Sequence, residues 1–517
     1  MRDRARWWAL TAVSLATVMV YLDNNVVNVA LPTIQRSLHL SVSGLEWIVS
    51  SYLLVLGGLL LVGGRVADIY GRRRMFLAGL AVFTLSSLAA GLAGNGGELI
   101  AARAVQGLGA ALVLPASLAI VVATFTDARE RTMAIGISGA IGALGLALGP
   151  AIGGVVSQHF HWGWIFLINV PIGVITAAIA IPFTTESHGR TELSAVPGAR
   201  RPTAALLDIP GLVTSAMALF ALTYALIEGH DKGWTSGLIL AAFAVAAAAA
   251  AVFLAIEARS ARPMLPLPIF RSGAFSGGLA TMMIWGFGVL GIYFFTSLYL
   301  QNNLAFSPSR AGLAFVPMAL CLAFAATQSP RVVTLIGQHR TVALGMAVMT
   351  AGLVLFARLG AGATFTSLLP GFVLFGLGAG LMNVPLTNAV IDGAPAAQAG
   401  VASAMLNASR EVAGLLGVTV VGAVLRSSQG SALRSGATQA QAFIDGYHSG
   451  LWLTIGLLAA GVVLSYLTLR HRPEPADAAL ASASAALGMA EAGAVPEAAP
   501  VPAAVRDVTP ADGPALR

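Results

Sequence analysis

Cysteine, lysine and acidic charge are what this chain has least of. Cys321 is the only cysteine in 517 residues, so neither an internal disulfide nor a cysteine-based metal site is available. It lies in an apolar run and reads as a small core residue. Lys232 is the only lysine, and no Gly-x-x-x-x-Gly-Lys-Ser/Thr run is present to cradle a nucleotide's phosphates. ATP drive is therefore not expected. Asp, Glu, Lys and Arg make up 10% of the residues, where a soluble domain carries about 25%. With 57% hydrophobic residues and a mean hydropathy of +0.82, water is not the main solvent of this fold. Clustered His, Cys, Asp or Glu are lacking too; His159 and His161 alone are a weak metal signal, and neither an enzyme nor a metal site is expected. The net charge of +7 resides in short arginine-bearing loops and not on a solvated face, so nucleic acid is not an expected partner.

What is present is a series of apolar runs. About fourteen helical spans fit, centred near residues 19, 55, 85, 112, 145, 173, 219, 246, 288, 319, 350, 378, 412 and 460. Lipid leaves an open backbone group without a partner, and strand-length alternation of the barrel kind is missing, so all spans are predicted to be helices. The first apolar run follows Arg2, Arg4 and Arg6 and continues to Ala30 without a convincing cleavage site, which makes it an uncleaved first span. Arg65 and Arg72 to Arg74, Arg129 and Arg131, Arg200 and Arg201, Arg259, Arg262 and Arg271, Arg331 and Arg340, and Arg470 and Arg472 then fall on one face. The positive-inside rule predicts that this face, with both termini, is cytoplasmic. Residue usage (many alanines, arginine over lysine) suggests a GC-rich bacterial genome, hence a bacterial plasma membrane. Residues 184–208 read as a cytoplasmic linker, and 473–517, rich in Ala and Pro, as a disordered tail.

An internal repeat organises the rest. Arg331 through Gly337 to Arg340, with Gly345 beyond, echoes Arg65 through Gly71 to Arg74 and Gly79 at a constant offset. Gly376 to Ala379 echoes Gly107 to Ala110 at nearly the same offset. Duplicated halves with a substrate site between them are a transporter architecture. The predicted domains are a six-helix bundle (1–183), the linker (184–208), two extra helices (209–258), a second six-helix bundle (259–472) and the tail (473–517).

Several ordered motifs carry a family resemblance: Leu22-Asp23-Asn24-Asn25 to Pro32 in the first span, Gly64 to Arg74 between the second and third, Arg103 to Gly109 in the fourth, Gly145 to Gly154 in the fifth and Trp164 to Pro171 in the sixth. With these the chain resembles the major facilitator superfamily, specifically its fourteen-span drug:proton antiporter branch. The resemblance implies an all-α integral membrane fold of two six-helix bundles plus two extra central helices. It implies alternating access, export of small hydrophobic or cationic compounds, and a proton gradient in place of any cofactor. The expected partners are a small-molecule substrate, protons and lipid, with the chain a monomer. A proton-coupled metabolite or nutrient symporter on the same fold is the alternative; a membrane enzyme or sensor is a more distant one. Asn24, where the family's motif has a hydroxyl residue, departs from the pattern.

Asp23 lies deep in an apolar run, where an ionisable residue is functional by default; it is expected to carry the proton. Arg103 cannot shed its charge and needs an interior partner, for which Asp23 is the candidate. Glu411, beside Arg410, is a candidate second protonation site, with a structural pair as the alternative; neighbouring residues point about 100° apart on a helix and so are not expected both to face one site. Asp68 and Arg72 are spaced to pair if their loop is a helical turn. The resemblance makes Gly64, Arg65, Asp68, Gly71 and Arg72 a cytoplasmic latch. Gly145, Gly149 and Gly153 share a face for close helix packing, with Pro150 able to bend the span. Asn24, Trp285, Tyr293, Asn383 and Asn407 are candidates for the substrate cavity.

Overall fold

A computed structural model describes residues 2–188, 208–260, 263, 265–360, 362–395 and 398–470. Most of the predicted linker and all of the predicted tail lie outside these residues. The first bundle comprises α1 (Arg2–Leu38), α2 (Val42–Tyr70), α3 (Arg72–Gly91), α4 (Gly96–Thr124), α5 (Ala128–His159), α6 (Trp164–Leu167) and α7 (Asn169–Phe183). Then come α8 (Ile209–Lys232) and α9 (Gly237–Arg259). The second bundle comprises α10 (Gly273–Leu298), α11 (Pro308–Ala314), α12 (Val316–Ile336), α13 (Gln338–Phe356), α14 (Phe365–Asp392), α15 (Ala399–Arg434) and α16 (Gln439–Thr468). Among the described residues there is no strand.

Among the described residues, thirteen stretches are long and apolar enough to cross a membrane; the remaining predicted centre, near residue 145, falls in the 32-residue α5. Short polar residues start many of the helices by accepting a hydrogen bond from the first turn: Ser41 from Gly44, Asn95 from Glu98, Asp127 from Glu130. Two spans are broken where proline removes a backbone donor. Pro171 cannot bond back to Leu167, which divides α6 from α7; Pro317 acts likewise between α11 and α12.

The repeat is visible in the backbone. Gly71 (φ 106°) and Gly337 (φ 85°) each join two helices in a conformation that side chains with a Cβ resist. Gly79 packs against Gly109 across α3 and α4, and Gly345 against Gly378 across α13 and α14. The small residues allow the same close crossing in both halves.

The basic loops lie at one end of the helices, called here the basic end. The halves meet mostly at mid-helix and toward the far end. There α5 crosses α11, with Gly154 against the Pro308 carbonyl and Gly312 against that of Pro150. The Ser309 backbone N–H donates to Gln158 Oε1 at 3.0 Å, and Gln301 Nε2 donates to the Val29 carbonyl at 2.8 Å. Helix α2 meets α15 along a second seam, and α8 packs against both of them there. Helix α9 rests on α8, with only 17% of its apolar window buried, as a lipid-facing helix should be.

Candidate functional site

Near the middle of α1, Asp23 is enclosed by the first bundle, and both it and Arg103 of α4 are 0% exposed. Arg103 Nη1 donates to Asp23 Oδ2 at 2.5 Å. Gln106 Nε2 and Asn169 Nδ2 each donate to Oδ1 at 2.8 Å. Gln106 stands one turn after Arg103 on α4, and Asn169 sits at the α6–α7 break that Pro171 creates. Arg103 is itself held by Gln106 Oε1 (2.7 Å) and the Ile48 carbonyl (3.3 Å), with its guanidinium carbon 4.2 Å from the centre of the Tyr52 ring. Ser87 of α3 accepts from Gln106 at 2.8 Å. Residues of five elements thus converge on one carboxyl.

The chemistry of the donor set is specific. A carboxylate accepts only, and here one cation and two amides donate to it, so the cluster is charge-balanced and matched to the ionised acid. A proton added to Asp23 would meet donors on every side. Accommodating it requires a neighbour to turn, and Asn169 Oδ1, buried without a hydrogen-bond partner, is an acceptor that such a turn would bring round. Gln106, Asn169, Ser87 and Tyr52 were not among the predicted site residues. The signal was there for the first two, which are polar interruptions inside the fourth- and sixth-span motifs.

The close packing of α1 on α5 fixes this helix. A Cβ on Gly145 would lie 2.8 Å from the Val18 carbonyl oxygen, and one on Gly149 2.7 Å from Asn25 Cβ; Gly153 abuts the Val26 carbonyl. Pro150 lies within α5 and is buried. Asn24 is 7% exposed, and the side-chain oxygens of Asn24, Asn25 and Asn28 are buried without partners.

At the basic end the structure alters the expected local shape. Asp68 lies in the last turn of α2, which ends at Tyr70, and Arg72 starts α3, so the loop is the single residue Gly71 and not a continuous helical turn. The two side chains still pair across it, at 2.8 Å. Glu186, just past α7, accepts from the backbone N–H groups of Arg73 (3.1 Å) and Arg74 (3.2 Å), placing a negative charge on the N-terminus of α3. Its carboxylate lies where a Cβ on Gly71 would be, a second reason for glycine there. Gly64 faces Pro115 of α4, while Arg65 donates to the Pro263 carbonyl at 2.6 Å, just ahead of the second bundle.

Along the α2–α15 seam, Glu411 is 3% exposed and lies against Gly57. Arg410 and Glu411 pair at 2.9 Å: adjacent positions start about 100° apart, but the long arginine side chain folds back around its own helix. Arg410 also donates to the Tyr21 hydroxyl of α1 at 3.0 Å. Nearer the far end, Glu46 of α2 forms an ion pair with Arg426 of α15, and both are buried. The proposed cavity residues are dispersed. Trp285 is buried with its indole N–H unpartnered, and Tyr293 stacks on Phe315 with centroids 5.0 Å apart. Asn383 and Asn407 are half-buried, and Asn407 donates to the Ser403 carbonyl one turn back.

Comparison with known proteins agrees with this architecture. The family model described as Major Facilitator Superfamily matches residues 13–418. The puromycin resistance protein pur8 of Streptomyces alboniger is 33% identical over 488 residues, covering 92% of this chain and 93% of that one. The multidrug resistance protein Stp of Mycobacterium tuberculosis (strain CDC 1551 / Oshkosh) is 36% identical, covering 82% and 76%. Among solved structures, the POT family transporter PepTSo superposes with a TM-score of 0.64 at 14% identity, over 90% of this chain and 98% of its own. A bacterial homologue of the human lysosomal transporter Spinster gives 0.63 at 15%, over 90% and 97%. The family match over residues 13–418 and the relatives at 33–36% identity lead to one assignment: this chain belongs to the Major Facilitator Superfamily.

Proposed function

We propose that the protein exports small hydrophobic or cationic compounds across a bacterial plasma membrane in exchange for protons. The basic end would face the cytoplasm and the far end the outside. The observation that carries this reading is Asp23: a fully buried carboxyl paired with an arginine that cannot be neutralised. Proton uptake there cancels one charge of a balanced pair and forces the cluster to rearrange, which is what coupling a proton to a conformational change requires. The names of similar proteins, including the tetracenomycin C resistance and export protein of Streptomyces glaucescens at 35% identity, support drugs or antibiotics as the substrate class.

In this reading the halves are closed on the outside, with α5–α11 and α2–α15 as the closure. A proton arriving from outside at Asp23 weakens substrate binding and favours return to the inward-facing state. Cells producing the protein are expected to extrude cationic and neutral dyes, and a protonophore should stop them. Inward accumulation of the dyes along with protons would instead identify a symporter.

Asp68 and Arg72 serve here as a latch at the cytoplasmic end. The Asp68 side chain is 43% exposed and its pair lies within one half, so its stabilising contribution is small, about 0–1 kcal/mol. Asp68→Asn is therefore expected to leave the melting temperature nearly unchanged while slowing turnover. A large loss of stability with normal turnover would show the pair to be structural.

A further inference from the structure

The buried pair between Glu46 and Arg426 lies outside the Asp23 cluster and has no part in the mechanism above. Glu46 projects from the first turns of α2 against Gly422 of α15 and is 0% exposed; Arg426 is 6% exposed. Only Glu46 Oε1 is engaged by Arg426, while Oε2 is buried without a hydrogen-bond partner. Arg426, by contrast, has a second set of acceptors. Its Nη2 donates to the backbone carbonyls of Ile227 (3.0 Å) and Leu226 (3.3 Å) on α8, one of the two extra helices.

Helix α8 is tied to both sides of this seam. Trp47 Nε1 of α2 donates to Glu228 at 3.0 Å and Ser43 of α2 to Asp231 at 2.8 Å, while Arg426 holds α8 from α15. The charges around Glu46 are thus Arg426 on α15 and Glu228, His230, Asp231 and Lys232 on α8. Glu228 is paired with Lys232 at 3.2 Å, and Glu98 at the start of α4 is occupied by Gly94 and Asn95. A cavity of about 230 Å³ at the far end, lined by Ser41, Ser43, His230, Asp231, Gln429 and Arg426, reaches the arginine of the pair, with Glu46 directly behind it.

We propose that Glu46 is a second proton-binding site, and that its protonation releases Arg426 to the carbonyls of α8 and frees α2 from α15 on the outside. The proton comes from the outer aqueous phase and binds a carboxylate oxygen; no covalent bond changes, the Glu46–Arg426 ion pair breaks, and the Trp47–Glu228 and Ser43–Asp231 hydrogen bonds must part as α2 leaves α8. A buried arginine stripped of every acceptor would be costly. Here the extra helix offers carbonyls that remain in place, so the seam opens without leaving the guanidinium unpartnered. Helix α8 thereby holds the arginine of the outer closure while the acid leaves. The proposal rests on the proton-driven, outside-closed reading given above.

The test uses the single cysteine to advantage. In a Cys321→Ser/Asp23→Asn/Arg103→Gln background, where no proton acts at Asp23, spin labels at Phe160→Cys and Ser435→Cys report the separation of the halves on the outside. Acidification from pH 8 to pH 5 is expected to shift this distance distribution to longer values. Glu46→Gln should give the long distribution at both pH values. The double variant Glu46→Gln/Arg426→Gln, which leaves no unpaired charge, should likewise lose the pH response and covers the case in which the single variant does not fold. A background protein without a pH shift, or a shift retained in these variants, overturns the role of Glu46. If proton-driven efflux persists in the Cys321→Ser protein with Asp23 and Arg103 intact, the wider reading stands and only this site fails; if substrate movement there carries no proton, the wider reading fails first.

Discussion

Asp23→Asn is expected to abolish proton-driven export and to destabilise the protein at the same time. The amide cannot take up and release a proton in the working range, so coupling is lost outright. It also leaves the Arg103 charge uncompensated in a site that is 0% exposed. Removing one partner of a buried pair costs about 3–5 kcal/mol. The two effects separate in the double variant Asp23→Asn/Arg103→Gln, where the cluster is neutral again. Much of the lost thermal stability should return there, while efflux driven by a pH gradient stays at background. Stability is read from thermal melting of detergent-purified protein, and transport from dye efflux. Restored efflux in the double variant would mean that the pair is structural scaffolding and that the proton travels elsewhere.

Gly149→Leu is expected to have the second large effect, through packing alone. A Cβ at Gly149 already falls 2.7 Å from Asn25 Cβ, so a larger side chain must push α1 from α5. Overpacking costs about 1–3 kcal/mol where the surroundings can yield. A helix crossing this close has less room to yield, and it carries Asp23 one turn away. Folded yield and transport should both fall. Gly136→Leu on the same helix provides the contrast, since a Cβ there meets nothing within 4 Å, and it should be tolerated. Equal damage from both substitutions would point to a helix-wide effect and not to the crossing.

Much of this architecture can be read from the sequence because lipid imposes simple rules. Apolar length gives the spans, and the paired glycines at Gly71 and Gly337 survive duplication because both need a positive φ. Asp23 and Arg103 stand out because buried charge is costly and must be matched. Gln106 and Asn169 are harder to see, since an amide in an apolar run states its polarity but not its partner. Glu46 and Arg426 are harder still. Each lies near a helix end, where a charge can reach water, and only the meeting of α2, α8 and α15 shows that these do not. Arg410 and Glu411 show a different limit: helix angles describe where side chains start, not where a long one ends.

Exchange of exported substrate for protons through Asp23 is the central claim. Proteoliposomes with the protein in known orientation, an imposed pH gradient and a dye exported by cells test this directly. Movement of the dye should carry protons the opposite way and dissipate the gradient faster, and Asp23→Asn/Arg103→Gln should remove that proton flux. Protons moving in the same direction as the dye, or an undiminished dye-driven proton flux in the double variant, would contradict it.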